Sequence, residues 1–397
     1  MIDTIVLAIP PGQFLITDHY KFSPSSAGLF QPPFYRMGPQ GFMKCVQYPT
    51  KADLKDGVYK PSLTVIRRHQ AGALVNVLKI QFSAPKLLFG NNFDELKDTD
   101  FNSIISRLHE ILPSMGVMVT PATLRPASVS AIHFAKNILL TDHTTPAMIL
   151  NELAKIDLNQ RLDLNHTDYR NEGHGLKYHA NAYEIAFYDK LQDLRKARTS
   201  DKRALEDDNA IQLGLLDNIQ SLGAFEVFRM EVRLNTRPKA KQILEKLNIC
   251  SNQTFQSLFK SDTAQKVLLF YLRQIKQGYR HLSYQPKTPQ EFMMQFKMLN
   301  PQVKCRHMLQ AYAARALIKE IGIRSLREAL NIYGSQMWSK INHNLEKYKF
   351  PEGDLNPFKL LEESLNKFEP VRMSAIVNNT TQSSNCNKEN HHAGNNL

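Results

Sequence analysis

Glu184-Ile185-Ala186-Phe187-Tyr188-Asp189-Lys190 and Phe228-Arg229-Met230-Glu231-Val232-Arg233-Leu234 decide how this chain is read. Both stretches alternate apolar and polar side chains, the period of a strand with one buried face. Alternation sends Tyr188 and Lys190 to one face of the first strand, and Arg229, Glu231 and Arg233 to one face of the second. If the two strands share a sheet, a phenol and an ammonium meet a carboxylate framed by two guanidiniums.

Working outward, residues 4–9, 61–67, 73–82, 117–119 and 128–134 carry similar apolar runs punctuated by Pro and Gly, and are expected to be strands of a mostly antiparallel sheet. The last of them would point Val129, Ala131 and His133 to one face. Thr145-Pro146 opens a helix through Ile149, Leu150, Leu153 and Ile156, with a cap residue and a proline in the first turn. Residues 163–178 read as a polar loop, and residues 191–216 as charged and helix-compatible. Beyond Pro238 strand signals nearly vanish: residues 239–350 read as helices, broken near Tyr284-Gln285-Pro286 and at Asn300-Pro301. Residues 377–397, rich in Asn, Ser, Thr and His, read as a disordered tail. The expected fold is α+β, with an antiparallel-sheet domain at 1–238, a basic α-helical domain at 239–350 and a C-terminal extension with its tail at 351–397.

The 397 residues carry a net charge of +13. Residues 251–350 hold 16 basic and 5 acidic side chains, so almost the whole surplus sits in one block. Such a block concentrates polyanions and releases counterions when it meets phosphates; its plainer meaning is a soluble basic domain. The four cysteines, Cys45, Cys250, Cys305 and Cys386, show no CxxC spacing, which indicates neither a zinc site nor a disulfide framework and fits a reducing cytoplasm. No apolar run approaches the ~20 residues of a membrane span. The opening residues lack the basic flank of a secretory signal and read as a first strand.

The candidate chemistry follows from the polar faces. His133 beside Glu231 would supply a nitrogen and an oxygen suited to Mn²⁺ or Mg²⁺, and His179 or His174, just upstream of the tyrosine strand, would fold back as a further ligand. A tyrosine oxygen at Tyr188 would attack a phosphodiester while the metal offsets the developing charge. Phenol ionises near ~10, so it needs a nearby cation, and Lys190 is the candidate. Each part has a plainer meaning: Tyr188 a core or edge residue, Arg-x-Glu-x-Arg a cross-strand ion ladder, His133 a hydrogen-bonded core histidine. Spacing alone leaves these open. In the basic block, Ser325-Leu326-Arg327-Glu328-Ala329-Leu330, a turn at Tyr333-Gly334-Ser335 and Gln336-Met337-Trp338-Ser339-Lys340-Ile341 follow the order of a helix-turn-helix, with simple helix packing and a core Trp338 as the alternative.

Taken in order, these stretches resemble the replication initiation proteins of filamentous phages and related plasmids, the gene II/X family. Met1-Ile2-Asp3 is similar to that family's start, and Ser83-Ala84-Pro85-Lys86-Leu87-Leu88-Phe89-Gly90-Asn91-Asn92 to its Ser/Pro-Lys-x-Leu-x-Gly-x-Asn segment; with the stretches around Ser130 to His133, Tyr188 and Glu231, the resemblance spans roughly residues 1–350. It implies a single-tyrosine rolling-circle endonuclease that nicks one strand at a double-stranded origin through a 5′-phosphotyrosine and rejoins it at termination. Tyr188 and Lys190 match the catalytic tyrosine and the lysine after it, and Glu231 the carboxylate of the Arg-x-Glu-x-Arg motif. The family's Ser-Arg-Ile-Asp segment reads Ser130-Ala131-Ile132-His133 here, a departure that keeps a ligand and loses an arginine. No clear His-hydrophobic-His motif is present.

The expected site is therefore Tyr188 and Lys190 for catalysis, with His133, Glu231 and His179 on Mg²⁺ or Mn²⁺. Arg229, Arg233, Lys86, Lys304, Arg306, Arg324 and Arg327 are expected on DNA. Expected partners are double- and single-stranded origin DNA and a host helicase and DNA polymerase, in the cytoplasm of a bacterial host. The alternative is a non-catalytic, sequence-specific DNA-binding regulator of phage or plasmid replication.

Overall fold

The computed structural model describes residues 1–23, 42–50, 53, 58–70, 73–140, 144–156, 158, 166–170, 173–193, 226–249, 252–279, 288–350 and 357–372. These described residues build a nine-stranded sheet and a second, two-stranded one. The strands are β1 (Ile2–Ile9), β2 (Leu15–Ile16), β3 (Phe42–Gln47), β4 (Ser62–Gln70), β5 (Ala73–Ser83), β6 (Val117–Met118), β7 (Ser128–Leu140), β8 (His166–Arg170), β9 (Gly175–His179), β10 (Tyr183–Asp189) and β11 (Glu226–Leu234). The large sheet runs β3-β4-β5-β1-β7-β11-β10-β9-β8, and every neighbouring pair is antiparallel. The expected α+β class with a large antiparallel sheet is thus observed.

One face of this sheet is apolar because alternation makes it so. Ile5, Leu7 and Ile9 of β1, Leu78, Ile80 and Phe82 of β5, Ile132, Phe134 and Ile138 of β7, Ile185 and Phe187 of β10, and Met230 and Val232 of β11 are all buried. Several helices pack on the sheet. The helices among the described residues are α1 (Ala84–Phe89), α2 (Phe101–Ser114), α3 (Pro121–Leu124), α4 (Pro146–Ala154), α5 (Arg237–Lys246), α6 (Phe255–Leu258), α7 (Ser261–Tyr279), α8 (Pro289–Leu299), α9 (Cys305–Leu330), α10 (Met337–Glu346) and α11 (Pro357–Lys367). α4 packs on β9, β10 and β11, while α5 and α7 pack on β7 and β11. α11 then lies on α7 and β7. The first helices after residue 238 therefore complete the covering layer of the sheet.

Local chemistry starts the helices where the sequence signals it. Thr145 accepts from the Met148 N–H with Pro146 in the first turn, and Thr236 does the same for Lys239 ahead of α5. α9 is two helices joined at Gly322, whose φ of 79° favours glycine and where a Cβ would stand 3.2 Å from the Lys155 backbone.

Three expectations need correction. The polar stretch at 163–178 is not a loop throughout, since β8 and β9 pair there as an antiparallel hairpin; β8 is polar at most positions, and the alternation in β9 rests on only two buried side chains, Leu176 and Tyr178. Residues 42–47 and 101–114, read as no element, form β3 and α2. Val129 lies on the core face, 1% exposed, because the register slips between its pairing with Leu7 and that of Ala131 with Val6. The bulge at Ser130 separates it from the face that His133 shares. Most of the 191–216 stretch, the 284–286 break and the 377–397 tail lie outside the described residues. No helix among the described residues is long and apolar enough to cross a membrane.

Candidate active site

β10 and β11 pair so that Tyr188 faces Arg229, Ala186 faces Glu231 and Glu184 faces Arg233, while β7 sets His133 opposite Arg233. Directly paired residues share a face, so Tyr188, Glu231, Arg233 and His133 gather on the side away from the main core, as alternation predicts. Tyr183, on the other face, stacks near Tyr271 at 5.6 Å between centroids.

Glu231 is the hub of the cluster, 2% exposed. Arg233 forks onto it, Nε to Oε1 at 2.9 Å and Nη2 to Oε2 at 3.0 Å, and Tyr188 donates its hydroxyl to Oε2 at 3.4 Å. His133 Nδ1 stands 3.6 Å from Oε1. Arg233 also reaches Glu184 at 3.3 Å, which Lys177 meets at 2.6 Å, an ion chain across three strands. Burial holds the His133 imidazolium below its ordinary range, although Glu231 opposes this.

A third acid joins the hub. Asp3, His133 and Glu231 each bring one ligand atom within 4.8 Å of the others. Strict alternation would put Asp3 on the core face with Ile5 and Leu7. The β1–β7 register instead shifts between Ile2, opposite Phe134, and Ile5, opposite Ile132. Two residues thus oppose His133 alone, and this bulge turns Asp3 to the polar side. Arg229 Nη2 donates to Asp3 Oδ1 at 2.6 Å; burial is the largest single influence and raises this carboxyl, but Arg229, His133, Lys190 and the Thr4 hydroxyl together outweigh it and hold it down to about 2.

Several site residues stand elsewhere than expected. Arg229 is 3% exposed, and its guanidinium is occupied by Asp3, the Asn92 carbonyl at 2.9 Å and Asn137 Oδ1 at 3.0 Å. It is placed to shape the site from beneath, and its expected contact with DNA is corrected: a buried guanidinium with these partners does not reach a phosphate. Lys190 is fully buried. β10 ends at Asp189, whose Oδ1 accepts from the Leu191 and Gln192 N–H groups, so Lys190 enters a helical turn instead of continuing the strand. Its ammonium binds Asn92 Oδ1 at 2.9 Å, approaches Asp193 at 3.5 Å and lies 5.9 Å from the Tyr188 ring centre. Burial lowers its pKa against the pull of Asp193, and the positive charges of Arg229 and Lys86 add to the lowering.

Burial pushes the Tyr188 phenol well above its usual value, and the cation that most opposes this is Arg229. The charge expected from Lys190 therefore comes chiefly from the cross-strand guanidinium. His179, expected as a metal ligand, pairs with Glu184 on β9, two strands from β11 and hence about 10 Å away; it is not part of the converging set. His174 lies 3.8 Å from Asp189. The sequence reading missed Asp3, Asn92, Asn137 and Asn235 as site residues; for Asp3 and Asn92 it had the segments in hand without a contact to place them.

In the basic block, Lys304 and Arg306 are exposed at the start of α9. Arg324 pairs with Glu328 at 3.2 Å, and Arg327 is half-buried. A turn at Asn331–Tyr333 and Gly334 separate the end of α9 from α10, the order of a helix-turn-helix, and Trp338 is a core residue at 5% exposure. Compared with protein-family models, curated proteins and solved structures, the chain matches none.

Proposed function

We propose that this chain is a metal-dependent single-tyrosine nuclease that nicks one DNA strand at a double-stranded replication origin and rejoins it when a round of rolling-circle replication ends. The observation that carries the reading is the hydroxyl of Tyr188 on Glu231, the same carboxylate that meets His133 and Asp3. A binding protein has no need to set a phenol against a buried carboxylate and an imidazole.

In this reading the Tyr188 oxygen bonds to phosphorus as the P–O3′ bond breaks. The products are a 5′-phosphotyrosine and a 3′-hydroxyl. The phenolic proton leaves toward Glu231 Oε2, and the departing 3′ oxygen takes up a proton from solvent. Rejoining is the reverse, with the 3′-hydroxyl attacking phosphorus and the tyrosine oxygen leaving. Arg229 lies across from the phenol and favours the oxygen's developing charge, while Lys190 and Lys86 add positive potential from the loop side.

One nitrogen and two carboxylates form a donor set that suits a hard divalent cation, so Asp3, His133 and Glu231 would hold Mg²⁺ or Mn²⁺. Such an ion would polarise a non-bridging phosphate oxygen and offset the charge of the transition state. Exposed Lys304 and Arg306 and the α9–α10 turn would grip origin DNA, with a host helicase and polymerase working from the nick in the cytoplasm of a bacterial host.

The regulator reading draws on one observation, the chain of ion pairs from Lys177 through Glu184 and Arg233 to Glu231, which serves a sheet with no chemistry equally well. Supercoiled plasmid bearing the cognate origin separates the two. Conversion to open circle with protein covalently on the 5′ end is the expected result. Tight binding with no nick and no adduct in Mn²⁺ or Mg²⁺ overturns the nuclease and leaves the regulator.

A further inference from the structure

We infer that Asn235 is the residue that makes His133 a cation ligand, by fixing which ring nitrogen carries the hydrogen. The inference rests on the cation site proposed above and assigns a role to a side chain outside it.

His133 Nε2 lies 3.2 Å from Asn235 Oδ1. An amide oxygen has only lone pairs to offer, so this hydrogen bond exists only when Nε2 holds the hydrogen. In the neutral ring Nδ1 is then bare. It faces Glu231 Oε1 at 3.6 Å, an oxygen that also has only lone pairs, and Asp3 brings a third donor atom within 4.8 Å. Arg233 already meets the Glu231 carboxylate and Arg229 that of Asp3, so the bare Nδ1 is the donor that completes a set of one nitrogen and two carboxylates suited to a divalent cation. The opposite tautomer would point an N–H into this cluster and leave Nε2 as the bare nitrogen.

Asn235 is well placed to impose the choice. Its own N–H donates to the Ala182 carbonyl at 3.0 Å, which ties it to the start of β10. The next residue, Thr236, caps α5. The amide therefore stands on backbone fixed at both sides, as an orienting partner of a metal-bound histidine should.

The test measures Mn²⁺ binding to the purified full-length chain, by the electron paramagnetic resonance signal of the free ion, without any DNA. Asn235→Ala removes the acceptor and is expected to weaken Mn²⁺ by about 10–100-fold. Asn235→Asp keeps an acceptor oxygen and is expected to hold affinity near wild type. A merely structural role would weaken binding in any background, whereas tautomer control acts only through the ring. Asn235→Ala added to His133→Ala is therefore expected to cost nothing further. Thermal melts check folding, and Asn235→Leu, which fills the space without an acceptor, stands in if the alanine variant is unstable. Wild-type affinity in Asn235→Ala, or an equal loss in the His133→Ala background, overturns the inference. So does a wild-type chain that takes up no Mn²⁺, because Asn235 would then orient a histidine that holds no cation. A covalent adduct formed by that same protein with origin DNA would show that the tyrosine reading survives the failure of this one.

Discussion

At the scale of single residues, the site separates the hydroxyl proposed to react from the charges that hold it. Tyr188→Phe deletes one oxygen on a partly exposed ring, so the covalent adduct is expected to vanish while origin binding stays within about twofold, a change worth less than ~1 kcal/mol. Gel analysis of denatured complexes reads the first and filter binding the second. Tyr183→Phe, on the core face beside Tyr271, is expected to cleave normally. An adduct in Tyr188→Phe would move the nucleophile elsewhere. Arg229 behaves differently, because it is the buried partner of Asp3. Arg229→Ala leaves that carboxylate without its guanidinium, and removing one member of a buried pair costs about 3–5 kcal/mol. A urea melt is expected to show this loss. A midpoint equal to wild type would mean that Asp3 finds another partner or protonates at little cost.

Two irregularities matter most at the scale of elements. The bulge in β1 opposite His133 brings Asp3 to the polar side, and the break at Gly322 lets the second half of α9 lie against the end of α4, where the Ile323 N–H donates to the Lys155 carbonyl at 2.9 Å. Gly322→Ala adds a Cβ at positive φ and 3.2 Å from the Lys155 backbone. It is expected to cost at least ~1 kcal/mol, read as a lower thermal midpoint, with nicking retained because the tyrosine lies elsewhere. A variant as stable as wild type would show that this contact loosens freely. The same scale explains why the sequence hides this hairpin: alternation marks a strand only where one face is apolar, β8, His166-Thr167-Asp168-Tyr169-Arg170, is polar at most positions, and β9 alternates over only Leu176 and Tyr178.

The whole molecule is tied together through Glu95. Its carboxylate meets Lys136 Nζ at 2.6 Å and the Asn137 N–H at 2.6 Å, and it accepts from the Val371 N–H at 2.9 Å. The C-terminal segment is thereby held to the strand that carries His133. Burial works against this anion, yet Lys136 and the hydrogen bonds keep its pKa below the ordinary 4.5. A depressed folded pKa means that its stabilisation is present above about pH 4.5 and is lost as pH falls through the folded value. Glu95→Gln is therefore expected to lower the melting temperature at pH 7 and to lie closer to wild type at pH 3. A gap that does not narrow in acid would remove Glu95 from this role. The proposed DNA grip belongs to this scale as well. Lys304→Ala with Arg306→Ala is expected to lower the slope of log affinity against log salt by about 0.9 for each lost phosphate contact. Arg324→Ala with Arg327→Ala is expected to lower it less, since Glu328 already neutralises Arg324 and Arg327 is half-buried. Unchanged slopes in both would reassign these helices to protein contacts.

The sequence by itself determined which side chains share a face within β10 and within β11; that Tyr188, Glu231 and Arg233 lie together followed only once the two strands paired. Side chains alternate with a period of two whatever the partner strand does, so this much is local and readable. It also fixed where α4 begins and where the basic charge sits. What only the tertiary structure decided is the depth and the company of each group. Arg229 and Lys190 lie inside because Asn92, carried by the loop after α1, closes over them, and His179 lies two strands too far because β10 stands between β9 and β11. Asp3 reaches His133 only through a bulge. Register slips and loop closures of this kind are set by hydrogen bonds and packing between residues far apart in the chain, and a period read along one strand carries no information about them.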